Sequence, residues 1–383
     1  MNGKIILHIG TPKTATSALQ TFFVQNRNEL KKHGIYYPAF NSQSRNIVKL
    51  SNPLASFNGN GTMLRFSFTK KYDSFSLKSK RIFHKIVNST KKYPYVIISA
   101  EDFFDMGTKD FYENFLNSNC KLEVVCYLRR QDEYYESLWG YFVKTYSDFN
   151  YKCIDFCKST EIKSHYTLDY YKKLTEISDI IGADHVHVRS FNHLNVNIYQ
   201  DFFDTIKADW SDEYRIPEGI INEKLSLEML EIKRRINELS LKNKALINES
   251  ISKIQQKYSV TTKGSYLSNE EKKSICDYYK DGNDKIIDEF LNGETLFSYE
   301  YTAKKFTPDD NYIQELYTET LCEITKSYDE TLKTKLNPSG LFLFIDKVKR
   351  TFRKYAINFH LIDERYANEF TRKINYKNTY SDK

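Results

Sequence analysis

Lys4-Ile5-Ile6-Leu7-His8-Ile9-Gly10-Thr11-Pro12-Lys13-Thr14-Ala15-Thr16-Ser17-Ala18-Leu19-Gln20 is the stretch that decides how the rest of the chain is read. Residues 4–9 make a short apolar run of the length of a buried strand. The run passes directly into a turn of small and hydroxyl-bearing residues with one lysine, and the turn opens an amphipathic segment over 16–33. Free backbone N–H groups and the positive end of a helix dipole converge at such a turn, which suits an anion such as phosphate or sulfate. Lys13 adds charge, and Thr11, Thr14, Thr16 and Ser17 add donors. A plain strand-to-helix connection, with Gly10 for geometry and Thr16 or Ser17 as N-cap, would have no use for the lysine.

Working outward, apolar runs of strand length recur at 95–99, 122–128 and 185–189, and amphipathic segments at 133–144 and 168–181 lie between and after them. Strands alternating with helices predict an α/β fold, a parallel β-sheet flanked by helices. Residues 41–64, mixing Asn, Ser, Gly and Pro, read as an irregular excursion that could lie over a site. Beyond about residue 220 the pattern turns helical, through 225–239, 268–291 and 312–332. Asn337-Pro338-Ser339-Gly340 then breaks the chain before a last periodic segment, in which Phe342, Ile345, Val348, Phe352, Tyr355 and Phe359 share one face and Lys347, Lys349, Arg350, Arg353 and Lys354 cover the rest. The expected organisation is one domain over 1–335, with a helical subregion about 220–335, and a basic amphipathic tail over 336–383.

Composition narrows the class. With 383 residues, 40% hydrophobic and 28% charged, the chain can bury a sizeable core and is neither a disordered nor a collagenous sequence. The net charge of +7 gathers toward the C-terminus, so the body is nearly neutral and lacks the basic stripe of a dedicated nucleic-acid binder. The six cysteines are scattered, without a second pair at zinc-site spacing, and are expected to be reduced structural thiols. The longest apolar runs, such as 341–345, fall far short of the ~20 residues that span a bilayer. The first residues lack the apolar core and cleavage site of a signal peptide. The expected location is the cytoplasm, with the tail at the inner face of the membrane.

Two further features fall where an open α/β sheet binds ligands, at the carboxyl ends of strands. Arg129 follows the run 122–128, and Ser137 stands eight residues on in the next helix; an arginine fork and a hydroxyl can grip one phosphate together. Glu101 follows the run 95–99, where a carboxylate can act as general base. Each also has an ordinary interpretation, a surface salt bridge for Arg129 and a capping or solvated acid for Glu101. His8, pointing from the first strand, is taken as a packed or hydrogen-bonded residue. The turn is not an ordinary Walker A loop, because Pro12 occupies the position where a glycine should precede the lysine.

Together these residues resemble the sulfotransferases that use 3′-phosphoadenosine 5′-phosphosulfate (PAPS), particularly the bacterial carbohydrate-type members with a P-loop-like fold. Residues 7–20 are similar to the family's 5′-phosphosulfate loop, with Ala15 in place of the more usual glycine. Residues 125–138 resemble its 3′-phosphate motif, in which an arginine precedes a serine by eight residues. Residues 95–101 resemble the segment ending in the catalytic glutamate. The resemblance implies PAPS as sulfuryl donor, bound by Gly10, Thr11, Pro12, Lys13, Thr14, Ala15, Thr16, Ser17, Arg129 and Ser137. It implies Lys13 and Glu101 as catalytic residues and a carbohydrate hydroxyl as acceptor. A sulfuryl group carries less negative charge than a terminal phosphoryl group, so no metal is expected. The alternatives are a P-loop small-molecule kinase and a membrane-surface interaction protein without catalysis.

Overall fold

Five short strands pair side by side, all parallel, in the order β2-β3-β1-β4-β5. They are β1 (Lys4–His8), β2 (Ile35–Tyr36), β3 (Tyr95–Ser99), β4 (Lys121–Leu128) and β5 (Val186–Ser190). This computed structural model describes residues 3–11, 13–39, 59–61, 64, 76–101, 103–104, 109–159, 168–192, 194, 196–217, 225–259 and 264–333. The expected tail over 336–383, Pro12 and most of the excursion at 41–64 lie outside them. The helices, in chain order, are α1 (Thr16–Gln25), α2 (Arg27–Lys32), α3 (Ser76–Ser89), α4 (Lys109–Leu116), α5 (Gln131–Thr145) and α6 (Cys153–Lys158). They continue with α7 (Tyr170–Ile181), α8 (Ile198–Ile206), α9 (Leu227–Asn237), α10 (Lys244–Tyr258), α11 (Asn269–Phe290) and α12 (Asp310–Lys333). The α/β class is therefore as the alternating pattern predicts. No helix among the described residues is long and apolar enough to cross a membrane.

The strands read as continuous apolar runs because both faces of a parallel sheet are covered. Ile5, Ile6, Leu7 and Ile9 are all fully buried. On one face, Ile6 and Ile97 stand in register across β1 and β3, Val125 of β4 lies opposite His8, and all three apolar side chains pack in one core with Leu19, Phe22 and Phe23 of α1 and Phe202, Phe203 and Ile206 of α8. Phe22 is the hub of an aromatic group, stacked on Tyr199 and Trp210 and edge-on to Phe203 and Tyr214. Burying each such side chain is worth about 1.5–3 kcal/mol. Helices α4 and α7 pack on β4.

The chain divides into two compact units. The first comprises residues 1–138, 154–224 and 267–302 and holds the sheet; the second comprises 139–153, 225–266 and 303–383 and is helical. The helical part expected about 220–335 is thus divided, since α11 belongs with the sheet. In the second unit, Met229, Ile232 and Ile236 of α9, Ile247, Ile251 and Ile254 of α10 and Ile313, Leu316 and Ile324 of α12 form a separate buried core.

Strand order also locates the crevice. From β1 the chain moves to β2 and β3 on one side, then crosses to β4 and β5 on the other. The connections diverge at the carboxyl end of β1, the place where open α/β sheets bind ligands, and the turn 10–15 begins there.

Candidate anion-binding site

At the end of β1 the sheet holds the chain on both sides: Ala100 N–H donates to the His8 carbonyl at 3.1 Å and Ile9 N–H to the Val125 carbonyl at 3.0 Å. The chain then turns through Lys13, with φ of 72°, and Ala15, with φ of 56°, while Thr14 between them is not left-handed. Alternation of this kind turns successive backbone N–H groups toward one concavity, which suits an anion. Thr11 and Thr14 brace the turn, Thr11 Oγ1 donating to the Tyr127 carbonyl at 3.0 Å and Thr14 Oγ1 to the Thr11 carbonyl at 2.6 Å.

Helix α1 begins without a side-chain cap, since Ala15 is its N-cap and offers none. Helices α7, α8, α9 and α10 are capped by Asp169, Asn197, Ser226 and Asn243, and α11 by a full capping box of Ser268 and Glu271. At α1 the Thr14 and Ser17 N–H groups have no backbone acceptor among the described residues. Thr16 Oγ1, buried, likewise has no partner among them. A Cβ on Gly10 would stand 2.6 Å from that Oγ1, 3.3 Å from Thr14 Oγ1 and 3.5 Å from His8 Nε2. Only glycine fits against these atoms, and the turn's left-handed residues with the uncapped helix end suit a phosphate or sulfate group.

Arg129 reaches the turn from β4. Its guanidinium donates through Nη1 to the Lys13 carbonyl at 3.3 Å and through Nε to Glu133 at 3.1 Å, and it lies over the Phe191 ring at 5.8 Å. Two motifs far apart in sequence thus meet at one strand end. Ser137, half-buried, stands about 9 Å along α5 from that helix's first residue, and none of the described contacts of Arg129 or of the turn includes it. Glu101 is half-buried just after β3, on the same sheet edge as the turn, with its carbonyl accepting from Phe104 N–H at 3.2 Å. Lys13 is half-buried within the turn itself.

Sequence reasoning missed three groups. Glu133 accepts from Arg129 Nε and from Asn192 Nδ2 at 2.9 Å, joining the ends of β4 and β5; its signal was the Arg129-to-Glu133 spacing of four. Ser99 Oγ lies 2.9 Å from His8 Nδ1 and accepts from Gln20 Nε2 at 3.1 Å. Asn60 takes the Ser99 N–H at 2.8 Å and donates to the Pro38 and Ile97 carbonyls. The piece 59–61 of the long excursion is therefore laid against the end of β3, so close that a Cβ on Gly59 would meet the Ser99 carbonyl oxygen at 1.8 Å. Burial pushes the His8 imidazole down to about 3, so it is neutral.

Next to Arg129, Arg130 is almost fully buried and binds Asp132 through two nitrogens, at 2.6 and 2.9 Å, and the Ser298 carbonyl at 2.6 Å. Cys276 donates to Asp132 at 3.3 Å, and burial raises its thiol to about 12. The six cysteines are unbridged, five of them buried. Elsewhere Glu29, His33 and Glu213 place ligand atoms within 4.8 Å of one another, but Lys32 already sits 2.8 Å from Glu29 and supplies the charge there.

Among known proteins, the chain is similar to an uncharacterised protein of Archaeoglobus fulgidus, 26% identical over 212 residues, which make up 53% of this chain and 55% of the relative. The matched region thus spans about half the length of that relative. No family model and no solved structure matches the chain.

Proposed function

We propose that the protein is a sulfotransferase, moving a sulfuryl group from PAPS to a hydroxyl of an acceptor, with a carbohydrate of a surface polysaccharide or glycolipid as the acceptor class. The observation that supports it most is the bond from Arg129 to the Lys13 carbonyl, which joins the two phosphate-type motifs at the diverging strands of the sheet. When bound, PAPS supplies the activated sulfuryl group. The turn from Gly10 to Ser17 holds the 5′-phosphosulfate through backbone N–H groups and the Thr14, Thr16 and Ser17 hydroxyls. Lys13 sets its charge against negative charge developing on the departing phosphate. Arg129, with Ser137, binds the 3′-phosphate. Glu101 takes the proton from the acceptor hydroxyl. Pro12 ahead of Lys13 weighs against the kinase alternative. The basic amphipathic segment after residue 340 would rest on a membrane where such saccharides are assembled; deleting 337–383 should then abolish sedimentation with anionic liposomes, and a full chain that never sediments removes that part.

Calorimetric titration with 3′-phosphoadenosine 5′-phosphate, the product nucleotide, in EDTA tests the cofactor site. Binding on the order of micromolar is expected, weakened at least ~10-fold by Arg129→Ala, because a charge-assisted pair is lost. An unchanged affinity in Arg129→Ala, or no binding by the wild type, would refute the assignment. Transfer of labelled sulfate from PAPS to a panel of saccharides is the accompanying assay, and it should vanish in Lys13→Ala.

A further inference from the structure

We infer that His8, beneath the turn, is a positioning residue of the anion site: it presents Nε2–H to the floor on which Gly10 and Thr16 meet and fixes how the loop receives a phosphate or sulfate group. This rests on the loop being an anion site and adds a residue to it that the motif comparison leaves out. The tautomer follows from the hydrogen bonds. Ser99 Oγ accepts from Gln20, and among the described residues His8 Nδ1 is the one acceptor in reach of its hydrogen, so the hydroxyl donates to Nδ1 and the imidazole proton is left on Nε2.

The ring is fully buried, and edge-to-face contacts with Tyr127, at 6.0 Å, and Phe202, at 5.7 Å, hold its plane. His8 and Gly10 are two residues apart on an extended chain, so they address the same side of the sheet. That is why Nε2 lies 3.5 Å from where a Gly10 Cβ would be, a point that Thr16 Oγ1 approaches to 2.6 Å. Neither atom has a protein partner among the described residues. A purely structural histidine would direct both nitrogens to the protein; here one is engaged, and the other is buried next to Gly10 with no partner among the described residues. Phenylalanine would fill the same space between Tyr127 and Phe202, so packing alone does not require an imidazole. Because burial keeps the ring neutral, it offers one directed donor and no charge.

The test is nitrogen-detected NMR of the histidine-labelled full chain at about pH 7, with 3′-phosphoadenosine 5′-phosphate and inorganic pyrophosphate as probes, together with calorimetry of His8→Phe and His8→Gln. The expected result is an Nε2–H tautomer whose Nε2 resonance moves with either probe. Affinity should fall roughly 10-fold in His8→Phe and return to within about 3-fold of wild type in His8→Gln, which keeps an N–H near that point. An Nδ1–H tautomer, or His8→Phe binding both probes like wild type, overturns the inference. Pyrophosphate binding that depends on His8 without nucleotide binding would sink the sulfotransferase assignment and leave this one standing; nucleotide binding indifferent to His8 would do the reverse. Failure of both probes to bind the wild type overturns both. Should His8→Phe not fold, the tautomer and the resonance shift in the wild type decide.

Discussion

Ala15 shows what a single position adds to a motif. In sequence it is a small residue where a glycine is usual, and the apparent issue is an extra methyl. In the structure its φ of 56° and ψ of 24° are left-handed, so the methyl is a backbone problem rather than a contact problem. A non-glycine residue in that region costs about 1–2 kcal/mol, and glycine's extra freedom in the unfolded chain returns about 0.5–1 kcal/mol of it. Ala15→Gly should therefore stabilise the protein by about 0.5–1 kcal/mol in denaturant unfolding and leave nucleotide affinity equal or tighter; a destabilised variant would mean that the methyl packs productively. Gly10→Ala runs the other way. Its Cβ would press on Thr16 Oγ1 at 2.6 Å, so titration should show at least ~10-fold weaker binding. Unchanged affinity would show that the turn is not where the anion sits. Residue types at this turn were legible from sequence, whereas the left-handed geometry of Lys13 and Ala15 was not, because no local rule puts lysine or alanine there.

At the scale of elements, the alternation of strands and helices was readable because strands buried on both faces are unbroken apolar runs. The amphipathic run 16–33 read as one helix but forms two, and the reason is tertiary. Asn26 sits between α1 and α2 with its side chain donating to the Arg215 carbonyl at 2.8 Å and accepting from Arg215 N–H at 2.7 Å, a partner far along the chain. β2 has only two residues, too short for any periodicity. The amino end of the sheet carries its own polar layer, also invisible to pattern reading. Lys4 of β1 holds both Glu123 oxygens of β4 at 3.0 Å, and His187 of β5 adds a contact at 3.3 Å. Burial acts to raise the Glu123 carboxyl, but the hydrogen bonds from His187 and Lys4 outweigh it and hold the group below its usual range. A lowered folded-state value gives stability that is present above the unfolded pKa, about 4.3, and that disappears as pH falls through the folded one. Glu123→Gln should thus lose stability at neutral pH, by about 1 kcal/mol for this partly buried pair, and lose less than wild type on acidification. Parallel pH curves for the two proteins would show that Glu123 contributes nothing to the acid limb.

For the whole molecule, the question is which of the two units carries the site. Every group assigned to it, from Gly10 to Ser17 and on through Glu101, Arg129, Glu133 and Ser137, falls in the unit that holds the sheet. The interleaving of the two units along the chain was not legible, because helical periodicity is the same in α11, which belongs with the sheet, and in α10 and α12, which do not. Only the burial pattern separates them. Ile251 is fully buried in the core of the helical unit, and truncating such a side chain costs about 2–5 kcal/mol through lost transfer energy and the cavity left behind. Ile251→Ala should lower the unfolding midpoint clearly while the affinity for 3′-phosphoadenosine 5′-phosphate, measured well below that midpoint, stays within about 2-fold of wild type, since the core around Ile251 includes none of the residues assigned to the site. A variant that is still folded but binds the nucleotide 10-fold or more weakly, a change of about 1.4 kcal/mol, would place part of the site in the helical unit. Acceptor recognition can then be sought by the same contrast: a substitution in the helical core that spares nucleotide binding but raises the saccharide KM would assign the acceptor to that unit.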